Sequence, residues 1–95
     1  MQSRINPEFD IVIIGGLGHV GLPLGLAFAD TGLSVCLYDI DSKKADSVKK
    51  GVMPFIEYGA EPILKKVVKN NKLKVSLNAS SVSKAKYVII AIGTP

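Results

Sequence analysis

Three glycines and one acid hold the chemistry that this sequence can do. Gly16, Gly18 and Gly21 stand between an apolar run, Ile11-Val12-Ile13-Ile14, and a helical pattern that continues to Asp30. Asp39 follows 18 residues after Gly21, at the end of a second apolar run, Val35-Cys36-Leu37-Tyr38. A glycine in the first of these positions permits a tight turn, one in the second lets backbone approach a diphosphate without a Cβ in the way, and one in the third lets the helix lie close on the strand. Unpaired N–H groups and the positive end of the macrodipole then favour an anion at the start of the helix. A carboxylate at the end of the second strand accepts hydrogen bonds from ribose hydroxyls and repels a 2′-phosphate, so Asp39 selects NAD over NADP. In a chain with nine glycines the spacing by itself would mark only a glycine-rich turn. The order strand, glycines, helix, strand, acid makes it a dinucleotide-binding fingerprint.

Other reactive residues have plainer readings. Lys43 and Lys44 fall in the first turn of the next helix, within reach of a phosphate, yet lysines there usually form a solvated face. Asp41 is expected to cap the helix that begins at Ser42. Cys36, the one cysteine, lies inside a strand and is read as a small buried residue rather than a nucleophile; one cysteine also excludes an internal disulfide and suits a reducing cytoplasm. His19, the one histidine, is read as a loop residue and not as a base. The net charge of +4 comes from scattered lysines without interleaved aromatic rings, which argues against a nucleic-acid surface.

The elements that must position this site follow from length and periodicity. Ninety-five residues, 47% hydrophobic and 21% charged, suit one small globular domain. No apolar stretch approaches the ~18 residues needed to span a bilayer. Met1 to Phe9 is expected to be a flexible tail outside the fold, with the domain at Asp10 to Pro95. Ser42 to Lys50 reads as a short helix closed by Gly51, and Gly51 to Gly59 as a loop punctuated by Pro54. Ala60 to Asn70 reads as a helix with Ile63, Leu64, Val67 and Val68 on one face, Pro62 being tolerated in its first turn. Leu73 to Ser76 alternates as a half-exposed strand, Ser80 to Lys84 is one helical turn, and Tyr87 to Ile92 is a strand expected to be buried on both faces. Right-handed crossovers then predict an α/β fold of the Rossmann type: a parallel sheet in the order 3-2-1-4 with helices on both faces, half of a dinucleotide-binding domain. The crevice between strands 1 and 4 is the topological switch point.

Four stretches together resemble a known family: Gly16-Leu17-Gly18-His19-Val20-Gly21-Leu22-Pro23-Leu24, Tyr38-Asp39-Ile40-Asp41, the loop from Gly51 to Glu61, and Ala91-Ile92-Gly93-Thr94-Pro95. The resemblance is to the N-terminal NAD-binding domain of the nucleotide-sugar 6-dehydrogenases, such as UDP-glucose and UDP-N-acetylmannosamine dehydrogenase, and covers about Asp10 to Pro95. It implies that Gly16, Leu17, Gly18, His19, Val20 and Gly21 line the pyrophosphate of NAD, that Asp39 takes the adenosine ribose with Lys44 near it, and that Thr94 contacts the cofactor. His19 stands where the family commonly has tyrosine. The resemblance also implies a parent enzyme that oxidises C6 of a UDP-sugar from alcohol to carboxylate with two NAD, through a thioester on a catalytic cysteine, in cytoplasmic synthesis of polysaccharide precursors.

No catalytic or metal-binding residue is expected within these 95 residues, and the chain by itself is expected to be inactive. The UDP-sugar is expected as a partner of the parent only, with neither nucleic acid nor membrane as a partner. The strand from Tyr87 to Ile92 is expected to leave an exposed, unpaired edge through which copies of the chain associate. The alternative is a stand-alone module that binds an adenine nucleotide, or another protein, without catalysis.

Overall fold

The computed structural model describes residues 6–92. β1 (Phe9–Ile14), α1 (Gly21–Asp30), β2 (Val35–Tyr38), α2 (Ser42–Lys49), α3 (Ala60–Lys69), β3 (Leu73–Ser76), a 3-10 helix (Ala79–Lys84) and β4 (Ala85–Ile90) follow one another along the chain. The four strands form one parallel sheet in the order β3-β2-β1-β4. Ile13 is the hinge of the register, lying opposite Leu37 on one side and Ile89 on the other. Because all strands are parallel, their C-terminal ends share one edge of the sheet, and the connections leaving β1 and β2 meet there.

The strands form where β-branched residues run together, and the sheet buries their two faces unequally. Ile11, Ile13, Val35, Leu37 and Leu73 face α1, α2 and α3, whose Leu22, Leu26, Val48, Leu64 and Val67 complete the main core. Burial of an aliphatic side chain of this size contributes about 1.5 to 3 kcal/mol. The opposite face holds a smaller cluster of Phe9, Val12 and Cys36, closed by Val82 and Ala85 beside the 3-10 helix. Helical structure thus lies on both faces, as expected. The α-helices all share one face, since α2 and α3 both lie within the connection from β2 to β3.

Two expectations need correction. The ordered chain begins before Asp10: Phe9 opens β1 and is buried, and the Glu8 N–H donates to the Lys84 carbonyl at 2.9 Å. Phe9 supplies the largest buried side chain of the smaller cluster, which is why it cannot belong to a tail. Strand β4 is not buried on both faces; Tyr87 and Ile90 are 63% and 64% exposed. Among the described residues β4 pairs only with β1, and the main contacts of the α-helices are with the other strands, so Tyr87, Val88 and Ile90 stay exposed.

Candidate functional site

The turn after β1 is built by close backbone contacts. Gly15 takes the left-handed conformation, φ +79°, that turns the chain out of the strand, and a Cβ on it would lie 2.5 Å from the Ala91 carbonyl oxygen. The tight turn therefore falls on Gly15 rather than on Gly16, which was expected to make it. Gly16 is needed for a different reason: its Cβ would sit 2.7 Å from Cβ of Leu37 on β2. A Cβ on Gly21 would collide with the Gly15 carbonyl oxygen, so Gly21 lets α1 begin directly on the turn. Close approach of the helix to the strands falls on Gly25, whose Cβ would lie 2.6 Å from Cδ2 of Leu37.

Gly18 differs from these four. Among the described residues a Cβ there would meet only the Gly15 carbonyl oxygen, at an ordinary 3.5 Å, and its φ lies outside the left-handed region. The fold itself does not require glycine at this position. A diphosphate laid against the turn does, because a Cβ would occupy the space it needs.

Helix α1 starts in a way that leaves this space electropositive. Its N-cap is Val20, which provides no side-chain hydrogen bond, and its first turn contains no acid. Gly18 N–H donates to Gly15 O and Leu22 N–H to Gly18 O, whereas the N–H groups of His19, Val20 and Gly21 have no acceptor among the described residues. Helix α2 shows the contrast, because the Asp41 carboxylate caps it by accepting from Lys44 N–H at 3.0 Å. Three unpaired donors at an uncapped N-terminus suit an incoming anion.

Asp39 stands at the end of β2, held by backbone on both oxygens. Oδ1 accepts from the N–H groups of Ile40 (2.7 Å) and Asp41 (3.2 Å), and Oδ2 accepts from Leu17 N–H at 3.0 Å. A carboxylate has about four lone-pair sites, so Oδ2 keeps one for a further donor. Asp39 lines a hollow of about 280 Å³ with Ile14, Gly15, Gly18, Tyr38, Ile40, Ala91 and Ile92. This hollow is the crevice between β1 and β4 at the switch point.

The expected site residues divide accordingly. Gly16, Gly18, His19, Val20 and Gly21 meet in one turn with Asp39 beside it. Leu17 lies in that turn with its side chain fully buried in the core and its N–H committed to Asp39. Lys44 sits half-buried on α2 and does not line the hollow. Thr94 lies outside the described residues. Sequence reasoning missed Gly15 as the turn residue and Ala91 and Ile92 as the far wall, although the doubled glycine and the end of the fourth strand were the signals for them. It also missed Phe55, whose ring stacks on His19 with centroids 4.2 Å apart.

Cys36 is buried on β2 beside the 3-10 helix, and that burial raises its thiol pKa, with the Ser81 side chain acting the other way. Among the described residues no cluster of His, Cys, Asp and Glu could hold a metal ion. No described helix is long and apolar enough to cross a membrane.

A parallel sheet with an uncapped helix at its glycine turn, and an acid fixed at the neighbouring strand end, defines a dinucleotide-binding domain of the Rossmann type. The chain belongs to the UDP-glucose/GDP-mannose dehydrogenase family, whose NAD binding domain matches residues 9–95. It is 38% identical over 85 residues to UDP-glucose 6-dehydrogenase TuaD of Bacillus subtilis, an alignment covering 88% of this chain and 18% of the relative. It is 34% identical over 84 residues to UDP-N-acetyl-D-mannosamine dehydrogenase of Pyrococcus horikoshii, covering 88% and 20%. The crystal structure of GDP-mannose dehydrogenase from Pseudomonas aeruginosa superposes with a TM-score of 0.85 at 29% identity, over 90% of this chain and 20% of that one. The chain spans about one fifth of the length of these relatives.

Proposed function

We propose that NAD binds with its pyrophosphate over the turn from Gly16 to Gly21 and its adenosine ribose on Asp39. The observation that carries this reading is Gly18, the fingerprint glycine that no contact among the described residues requires. The N–H groups of His19, Val20 and Gly21 receive the phosphate oxygens. The free lone pair of Asp39 Oδ2 receives a ribose hydroxyl, and the fixed negative charge disfavours a 2′-phosphate. Leu17 acts through its N–H by orienting Asp39. Lys44 and Thr94 remain assigned as the family resemblance has them, near the ribose and at the end of strand 4.

NAD supplies a hydride acceptor when bound, and this chain's residues bind and orient its adenosine half. The whole protein is proposed to oxidise C6 of a nucleotide sugar, an activity class that the names of its relatives support, and to do so in the cytoplasm. Association of copies through β4 belongs to the same proposal, since Tyr87, Val88 and Ile90 are exposed along it and Ile92 just beyond it.

Chemical-shift mapping with ADP-ribose, NAD and NADP tests the binding mode. Amides of Gly18, Gly21 and Asp39 are expected to move at millimolar ligand, with NAD bound more tightly than NADP. If these amides stay still while another region shifts, the assignment is overturned.

A further inference from the structure

A hollow of about 530 Å³, separate from the one lined by Asp39, lies beneath the loop of residues 52–59. This loop is tied down at its base. The Val52 N–H donates to Ser47 O at 2.9 Å, the Met53 N–H to Glu61 Oε2 at 3.0 Å, and Lys65 Nζ to Gly51 O at 2.8 Å. Gly51 and Gly59, both at φ +80°, turn the chain sharply at either end. Ile56 and Tyr58 project into solvent, 84% and 97% exposed, whereas Phe55 packs inward against the core. The loop is a strap fixed at its base, and Phe55 is its point of contact with the glycine turn.

That contact is with His19. The two rings are near parallel, 22° apart with centroids separated by 4.2 Å. His19 is exposed, and no side-chain hydrogen bond or ion pair ties it to a neighbour among the described residues. Its own N–H and those of Val20 and Gly21 have no acceptor among the described residues, and their aim depends on the backbone at this point. A ring stacked on the side chain restrains that backbone before any ligand arrives, so binding need not order it.

We infer that Phe55 is a positioning residue for the cofactor's pyrophosphate, acting through His19 to hold the phosphate-binding N–H groups in place. The inference rests on the binding mode proposed above. It assigns to the strap a part in cofactor affinity that neither the glycine spacing nor Asp39 supplies.

Two properties make the test direct. His19 is the one histidine of the chain, so its imidazole proton resonances identify themselves. A stacked ring shifts them upfield, which reports the contact independently of affinity. The 95-residue chain is titrated with ADP-ribose, and with adenosine as a probe that lacks the diphosphate, in wild type, Phe55→Ala, Phe55→Leu and Phe55→Tyr. Phe55→Leu keeps apolar bulk in the core without a ring and serves where Phe55→Ala fails to fold. Expected are loss of the upfield shift in Ala and Leu, ADP-ribose binding weakened about two- to tenfold, adenosine binding unchanged, and both properties restored in Tyr. ADP-ribose affinity within twofold of wild type in a variant that has lost the shift overturns the inference, as does an equal loss for adenosine. Wild-type protein that binds no ADP-ribose at millimolar concentration overturns the binding mode itself, a result distinct from either.

Discussion

Asp39 and Leu17 are joined across the mouth of the crevice: Oδ2 of the acid accepts the leucine N–H at 3.0 Å, tying the end of β2 to the turn after β1. The bond spans 22 positions of sequence and gives the acid one fixed orientation. Leu17 contributes through both its parts, since its side chain anchors the turn in the core while its N–H aims the carboxylate.

Asp39→Ala removes the acceptor of three backbone donors and the proposed partner of the ribose. NAD affinity should fall by about 1 to 3 kcal/mol, the range for a charge-assisted hydrogen bond, and discrimination against NADP should narrow. Calorimetric titration with both nucleotides measures this, and an unchanged preference ratio counts against Asp39 as the ribose partner.

Gly18→Ala and Gly21→Ala should separate binding from folding. Alanine at position 18 meets no close contact, so stability should stay within about 0.5 kcal/mol of wild type while ADP-ribose binds about tenfold more weakly or worse, a loss of some 1.4 kcal/mol. At position 21 the new Cβ would press on the Gly15 carbonyl, and the fold should lose about 1 to 3 kcal/mol. Urea denaturation of both variants, with a ligand titration of the first, decides the matter. Equal destabilisation would remove the argument for a ligand at Gly18.

Burial raises the Cys36 thiol pKa, so the folded state keeps its proton to higher pH than the unfolded chain does. The associated stability is fully present below the ordinary value of 9.0 and is lost as pH rises above it, because the unfolded state deprotonates first. Wild type should therefore lose stability above that pH more steeply than Cys36→Ala, the lysines being common to both. Denaturation curves across the alkaline range test the sign. The native thiol should also react with a disulfide reagent only as fast as the chain opens.

The exposed outer side of β4 should make the chain self-associate with concentration, since an unpaired apolar edge accepts another strand. Ile90→Lys places a charge on that edge and should shift the population towards monomer. Sedimentation over a concentration series would show it, and wild type that stays monomeric at high concentration contradicts the proposal.

Most of the architecture was legible because it rests on local pattern. β2 and β3 have the expected bounds, α1 to α3 lie where periodicity and capping placed them, and the strand order follows from right-handed crossovers. The glycine spacing with Asp39 likewise located the crevice, since a turn, a helix start and a strand end are each specified within a few residues.

By itself, then, the sequence determined the parallel α/β order and the crevice where the glycine turn meets Asp39, both of them properties of short segments. Tertiary structure decided which glycine does which task, because close approach depends on atoms far along the chain: Ala91 against Gly15, Leu37 against Gly16 and Gly25. It also decided that β4 is exposed, since an apolar run does not reveal how many neighbours a strand will have. Phe55 and His19 are 36 positions apart and follow no shared period, so only the folding of the strap onto the glycine turn could bring the two rings together.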